Sequence, residues 1–257
     1  MELVNQKKDS GEAGGLRLVA EQKTDEVRAE PEKQFVNFSF YRVNPEWRKL
    51  DPETKSIFKS EFSRVFEKYR DEFLLFSYSL VGFDPNADLM FWRIGRSMDT
   101  IQDMTAALYR TRLGSYLEVA DNYLAVTRKM MFVENTGAAS VSEDRRYVKA
   151  GTGKYHFVYP CVKNSDWYEK TGEERDALIE ENFMVGRRFG NIKIHMTHAF
   201  GFSGKEYIIS FETDEPRDFL ALAEELRQAP ASKFTMNDMA IYTCRRRSLK
   251  ECLDALG

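Results

Sequence analysis

Hydrophobic and polar positions form two kinds of pattern along the first half of the chain. FVNFSFYRV (residues 35–43) alternates between apolar and polar residues, and this alternation predicts a β-strand. Residues 51–73 carry apolar side chains at helical spacing behind an Asp-Pro pair, so we expect a helix with Asp51 as its N-cap. Two strand patterns follow on either side of the turn residues DPNA, and Ser97 then caps a second predicted helix.

The same series returns in residues 153–257. KYHFVYPCV predicts a strand, residues 165–189 a loop and a helix, and IKIHMTHAFGF with EYIISFETD a hairpin around SGK. Residues 215–234 then predict a helix, and MAIYTCRRR predicts a closing strand. This repeat has the order β-α-β-β-α-β. We therefore predict an α+β fold of two ferredoxin-like repeats, with antiparallel sheets side by side and helices outside, as in a dimeric α+β barrel.

Two segments lie outside the repeat, which occupies residues 34–118 and 153–257. Residues 1–33 are polar and charged without periodicity, and they predict a disordered tail or one that docks on a partner. Residues 119–152 end in turn-rich, polar sequence and predict a connector between the two halves.

The composition is typical of a soluble globular protein. Of the 257 residues, 42% are hydrophobic and 31% are charged, and the net charge of −3 does not favour nucleic acid or an anionic membrane as a partner. No apolar run approaches the roughly 20 residues that span a bilayer, and the N-terminus lacks an apolar signal region. We therefore expect a cytoplasmic protein with reduced thiols, and the three cysteines show no metal-binding spacing.

Residues 153–257 resemble the chlorite dismutase family, which also includes the coprohaem decarboxylases of bacterial haem synthesis. The matching stretches are KYHFVYPCVKNSDWY, EERDALIEENFMVGRRF, THAFGFSGKEYIISFETDEPRDFLALAEELR and ASKFTMNDMAIYTCRRRSLKECLDALG. The resemblance implies the double ferredoxin-like fold, with haem or coprohaem as the cofactor in the C-terminal half. It also implies a homo-oligomer, commonly a pentameric ring, that acts on a small molecule.

The sequence departs from the family at the position that ligates the haem iron. Family enzymes carry a histidine there, in a pattern like E-H-x-x-x-G, and the corresponding residues ENFMVG place Asn182 at that position. The family's acidic residue before the late A-S segment is replaced by Pro230. An amide oxygen is a weak neutral donor where imidazole nitrogen is a good ligand, so we interpret Asn182 as a lost proximal ligand position.

Four other residues match family positions. Tyr159 matches the tyrosine that mediates propionate oxidation in coprohaem decarboxylases, and Lys163 matches a lysine near the haem pocket, so both are candidate catalytic residues. Trp167 and Tyr168 match the family's aromatic pair and are candidate cofactor-binding residues. Each also has an ordinary explanation, as a tyrosine at a strand end, a solvated lysine or packed aromatic rings.

His195 is the candidate for a substitute metal ligand. It lies 13 residues after Asn182, a register that corresponds to the family's distal position, and we expect it to face the pocket. It is either an iron ligand from the distal side or a polar residue of a remodelled pocket. Because side chains alternate along a strand, His195 and Thr197 share one face and His198 takes the other.

Three functions remain open from the sequence, and with them the question of whether the protein is an enzyme. The first is a haem-associated protein with altered ligation and a weak peroxidase-like or haem-handling role, without chlorite dismutase activity. The second is a haem-free pseudoenzyme that forms a ring scaffold or binds another apolar ligand. The third is a coprohaem decarboxylase with unusual ligation.

Overall fold

The computed structural model describes residues 33–127, 148, 150, 153–200, 205–236 and 241–257. Eight strands form within these ranges: β1 (Phe35–Val43), β2 (Leu74–Ser79), β3 (Leu89–Gly95), β4 (Leu117–Val126), β5 (Tyr155–Cys161), β6 (Lys193–Ala199), β7 (Tyr207–Thr213) and β8 (Tyr242–Arg246). Six α-helices accompany them: α1 (Pro52–Glu67), α2 (Met98–Tyr109), α3 (Ser165–Glu169), α4 (Gly172–Arg187), α5 (Pro216–Gln228) and α6 (Leu249–Ala255). Short 3₁₀ helices lie at Pro45–Lys49, Gly114–Tyr116 and Pro230–Phe234. Except for Lys33, the predicted tail of residues 1–33 lies outside the described residues.

The helices begin where their capping residues predict. The Asp51 carboxylate accepts from the Thr54 N–H at 2.9 Å at the start of α1, and the Ser97 hydroxyl accepts from two N–H groups at the start of α2. A reciprocal capping box of Thr171 and Glu174 fixes the start of α4. The caps predicted at Asp51 and Ser97 are confirmed. None of the described helices has the length and apolar character that a membrane span requires.

The strands close into one barrel in the order β1-β3-β2-β8-β5-β7-β6-β4. Every pairing is antiparallel, and each half of the chain has the element order β-α-β-β-α-β. The prediction of two sheets side by side is therefore corrected in one respect, since the sheets also join at both edges. These joints are short: β2 meets β8 through two residue pairs, and β4 meets β6 through two.

The predicted connector of residues 119–152 begins with a strand that the sequence did not reveal. β4 runs to Val126 and pairs with β1 along its whole length, with a register shift between Phe40 and Tyr41. It completes the first repeat. Most of the remaining connector lies outside the described residues.

The barrel has two faces, and both are covered. Inward side chains form one apolar cluster that includes Val36, Phe38, Phe40, Tyr78, Leu80, Met90, Trp92, Val158, Ile208, Tyr242 and Cys244. Outward side chains of the N-terminal half pack against α1, α2 and the C-terminal α6 in a second cluster. Outward side chains of β5, β6 and β7 face α4 and α5, and the candidate site lies in this last layer.

Candidate functional site

A cavity of about 450 Å³ separates the outer face of β5, β6 and β7 from α4, α5 and the 3₁₀ helix that begins at Pro230. Its apolar lining consists of Ile179, Phe183, Ile194, Met196, Ile209, Phe211, Phe219, Ala223, Leu226, Ala231 and Ile241. Its polar lining consists of Tyr159, Cys161, Lys163, Asn182, Tyr207, Arg227, Ser232 and Thr235. A mainly apolar cavity of this volume, with a few polar groups, is typical of a small-molecule site.

The equivalent layer in the N-terminal half is a packed cluster of buried side chains. There, Trp47, Phe62, Phe66 and Phe91 fill the space under the helices, and Leu253 of α6 adds a further buried side chain. The two repeats therefore differ in what their helices cover: a packed aromatic core in one half and a cavity in the other.

Strand alternation places Tyr159 and Cys161 of β5 in the cavity wall, and Lys163 continues the same face. Burial raises the pKa of the Tyr159 hydroxyl to about 12, and it also raises the pKa of the Cys161 thiol. Both groups therefore keep their protons at neutral pH. Cys161 is a free, buried cysteine.

Lys163 is a half-buried cation held by neutral groups. Its Nζ donates to Thr235 Oγ1 at 2.8 Å and to the Ala231 carbonyl at 3.4 Å, and it lies 4.3 Å from the centre of the Trp167 ring. Burial lowers the pKa of this ammonium group. No acidic side chain is present among the described lining residues, so Lys163 gives the cavity a positive end.

Asn182 lies in the cavity wall on α4. Its Oδ1 is buried and has no hydrogen-bond partner among the described residues. A buried amide oxygen without a donor is uncommon in folded proteins. The residue at the predicted ligand position thus presents an unsatisfied amide beside an apolar space.

His195 does not line the cavity, and the prediction that it faces the pocket is wrong. Its neighbours on β6, Ile194 and Met196, hold the cavity face, while His195 points into the barrel. There its Nε2 shares a hydrogen bond of 2.8 Å with Glu212 Oε1, and its ring lies 5.5 Å from that of Trp92.

The alternation along β6 was predicted correctly, but its two faces were exchanged. Thr197 is buried on the inward face with His195, and His198 lies on the outward face with its ring edge against Tyr207. From its inward position His195 cannot ligate a metal held in the cavity. Within the described ranges, no cluster of three or more His, Cys, Asp or Glu residues could hold a metal ion.

The predicted aromatic pair divides between two environments. Trp167 is fully buried behind Lys163, where it supports the lysine without lining the cavity. Tyr168 is 54% exposed, and its hydroxyl donates to Glu206 at 3.1 Å. Tyr168 therefore lies outside the cavity lining, which does not support its prediction as a cofactor-binding residue.

Most lining residues were not predicted from the sequence, among them Arg227, Met196 and Tyr207. Arg227 of α5 is exposed at the cavity and has no ion-pair partner within the described part of the chain. Met196 and Tyr207 face the cavity from β6 and β7. The helical spacing of Phe219, Ala223 and Arg227 was visible in the sequence and could have placed Arg227 on the inner face of α5.

Comparison with known proteins gives one consistent result. The family model described as chlorite dismutase matches residues 55–247. Chlorite dismutase from Ideonella dechloratans is 24% identical over 205 residues, which cover 78% of this chain and 71% of that protein. Coproheme decarboxylase from Mycolicibacterium smegmatis is 25% identical over 180 residues, which cover 70% and 75%.

Solved structures agree with this match in fold. Chlorite dismutase from Candidatus Nitrospira defluvii, in complex with imidazole, superposes with a TM-score of 0.76 at 25% identity, covering 87% of this chain and 94% of that one. A heme-binding protein from Thermus thermophilus superposes with a TM-score of 0.75 at 18% identity, covering 88% and 96%.

Proposed function

This chain belongs to the chlorite dismutase family, and on that premise we propose that its cavity binds a tetrapyrrole of the haem class, haem or coprohaem. We further propose that it does so without the iron ligation that chlorite dismutase chemistry needs, in a haem-handling or weakly peroxidase-like role. The observation that carries the proposal is the apolar cavity with Lys163 and Arg227 in its wall and Asn182 on its helical side.

The shape and charge of the cavity support binding of the macrocycle. Its walls are supplied by aliphatic and aromatic side chains from three strands and two helices, which suits a flat apolar body. Lys163 and Arg227 supply cations for carboxylates, and an ion pair with Arg227 would face no competing acid in the described lining.

The same residues fit iron ligation poorly. No histidine is among the described lining residues, and the tyrosine and cysteine side chains there keep their protons because burial raises their pKa values. Asn182 offers a weak amide oxygen, and Met196 offers a neutral thioether with no histidine beside it in the described lining. We therefore assign these residues to binding and orienting the macrocycle.

Two alternatives remain as proposals. The loss of the histidine at residue 182 together with the acid at residue 230 supports a haem-free pseudoenzyme. The hydroxyl of Tyr159 supports a coprohaem decarboxylase, because it lines the cavity and has no partner among the described residues. Incubation of the protein with coprohaem and peroxide, followed by mass spectrometry of the porphyrin, tests the decarboxylase; carboxyl loss that disappears in Tyr159→Phe would support it.

We also propose that the protein forms a homo-oligomeric ring. Large apolar side chains such as Phe83, Leu220 and Phe200 are at least half exposed in the isolated chain, and an assembly would cover part of this surface. Light scattering on the purified full chain measures the assembly mass, and a monomer at micromolar concentration would contradict the proposal.

A Soret titration tests the main proposal. We expect haem and coprohaem to give a saturable band with the wild-type protein, and Asn182→His to bind both more tightly with a shifted band, because imidazole supplies the missing ligand. Glu181→Gln, an exposed neighbour on α4, is the matched control and should behave as wild type. Absence of a saturable band in both wild type and Asn182→His would overturn the proposal in favour of the scaffold.

A further inference from the structure

The amide of Asn182 is the least explained polar group of the cavity. Its Oδ1 is buried and has no hydrogen-bond partner among the described residues. An amide both donates and accepts, so it suits a ligand group with the same double character. A ligand with only an apolar body would leave this amide unsatisfied.

The remaining lining side chains give no imidazole to replace the missing iron ligand, and Met196 offers only a neutral thioether. Burial raises the pKa of the Tyr207 hydroxyl as it does for Tyr159 and Cys161, so this cavity disfavours an anionic oxygen or sulfur at any of the three positions. Lys163 donates protons to Thr235 and the Ala231 carbonyl, and an ammonium nitrogen has no lone pair to offer a metal. A ferric centre would lie in this cavity with only neutral donors around it.

A metal-free tetrapyrrole meets these conditions better than its iron complex. Its centre is uncharged and carries pyrrole N–H donors beside unprotonated nitrogen acceptors, which an amide can match in either orientation. Its carboxylates would pair with the two cations of the cavity wall, Lys163 and Arg227. No anionic or imidazole ligand is then required.

We propose that the ligand of this cavity is a metal-free tetrapyrrole carboxylate, bound in preference to its iron complex, with Asn182 directed at the central nitrogens. This inference rests on the proposed function, because it concerns the same tetrapyrrole cavity and adds that the metal-free form binds there more tightly than the iron complex.

The test compares two ligands that differ only in the metal. Coproporphyrin and coprohaem are titrated separately into the full-length protein, the first followed by porphyrin fluorescence and the second by Soret absorbance. We expect wild type to bind coproporphyrin at least about fivefold more tightly, the effect of one net hydrogen bond. Asn182→Leu should weaken coproporphyrin binding by about the same factor, while Glu181→Gln should leave it unchanged.

Asn182→His should reverse the preference between coproporphyrin and coprohaem. Because imidazole ligates iron and offers less to the free base, this variant should prefer coprohaem over coproporphyrin. Wild type that binds coprohaem more tightly than coproporphyrin overturns this inference while the proposed function stands. Wild type that binds neither ligand overturns this inference, and the proposed function falls with it if Asn182→His binds neither as well. Should Asn182→Leu fail to fold, the wild-type preference and its reversal in Asn182→His still decide the question.

Discussion

His156 lies inside the barrel with no exposed surface, and it is the most completely buried titratable base of the described chain. Its ring lies 4.3 Å from that of Trp92 and 5.1 Å from that of Tyr78. Neither ring nitrogen has a hydrogen-bond partner among the described residues. Burial therefore lowers the pKa of His156 to about 3, despite the opposing effect of the Glu212 carboxylate.

This burial predicts a pH-dependent stability. The pKa of His156 is lower in the folded chain than the 6.5 of an unfolded histidine, so the unfolded state takes up the proton first as pH falls. The free energy of unfolding should be about 2 kcal/mol lower at pH 5 than at pH 7 through this residue alone. Chemical denaturation at both pH values measures the difference.

The neighbouring groups allow the contribution of His156 to be isolated. Burial opposes ionisation of Glu212, but the hydrogen bond from His195 and the two nearby histidines outweigh it and lower its pKa to about 2, so Glu212 matters only in more acidic solution. His156→Phe should remove most of the difference between pH 5 and pH 7. Tyr78→Phe, which changes the adjacent ring, should keep it. Equal pH dependence in wild type and His156→Phe would contradict this assignment.

Individual residues also show where sequence reasoning succeeded and failed. The alternation that separates His195 from His198 was predictable, because a strand has a period of two. The face that each would occupy was not, since both faces of β6 are covered, one by the barrel interior and one by α4 and α5. A strand buried on both sides gives no polar face from which to orient it.

At the scale of elements, Gly186 controls how closely α4 approaches β6. A Cβ at this position would lie 2.3 Å from Ile194 Cδ1, and Ile194 lines the cavity. Because the clash involves only the end of a flexible side chain, Gly186→Ala should fold and displace Ile194 into the cavity. The helix gains about 1 kcal/mol in propensity, which offsets the local crowding. Tetrapyrrole affinity should fall in this variant, as measured by the titrations above.

Gly114 is the matched control for this substitution. A Cβ there would lie 2.0 Å from the backbone carbonyl oxygen of Leu108, which cannot move without disturbing the end of α2. Gly114→Ala should therefore lower the free energy of unfolding by about 3 kcal/mol, the upper range for overpacking. Similar stability losses in both variants would show that α4 and β6 are as rigid as the α2 turn.

The helices and strands differed in how well the sequence predicted them. α1 and α2 carry side-chain caps and apolar periodicity, and both were predictable. β4 was missed because Glu118, Asp121 and Asn122 interrupt its apolar pattern, and its pairing with β1 depends on residues almost a hundred positions away. The local sequence pattern of a strand does not identify which distant strand it pairs with.

At the scale of the whole molecule, the sequence predicted the two repeats but not the contacts that close them into one barrel. The joints between β2 and β8 and between β4 and β6 involve only two residue pairs each. The two halves are held together by the shared barrel interior, where Phe40 of the first half stacks on Tyr242 of the second at 4.0 Å. Such a packing surface, assembled from both halves, is not encoded in either repeat alone.

The C-terminal helix α6 links the halves a second time and gives a test of their independence. It follows β8 of the second half, yet Leu253 is buried in the core of the first half, and Trp47 Nε1 donates to the Gly257 carbonyl at 3.0 Å. Leu253→Ala should lower the free energy of unfolding by about 3 kcal/mol, as expected for a cavity in a packed core.

Since the halves share both the barrel interior and α6, the loss should appear as one cooperative transition shifted to lower denaturant, with coincident far-UV and tryptophan signals. Lys250→Ala, on the exposed side of the same helix, removes only a surface ion pair with Asp254 and should leave the midpoint unchanged. Two separate transitions in Leu253→Ala would mean that the C-terminal half, with its cavity, folds without the N-terminal half.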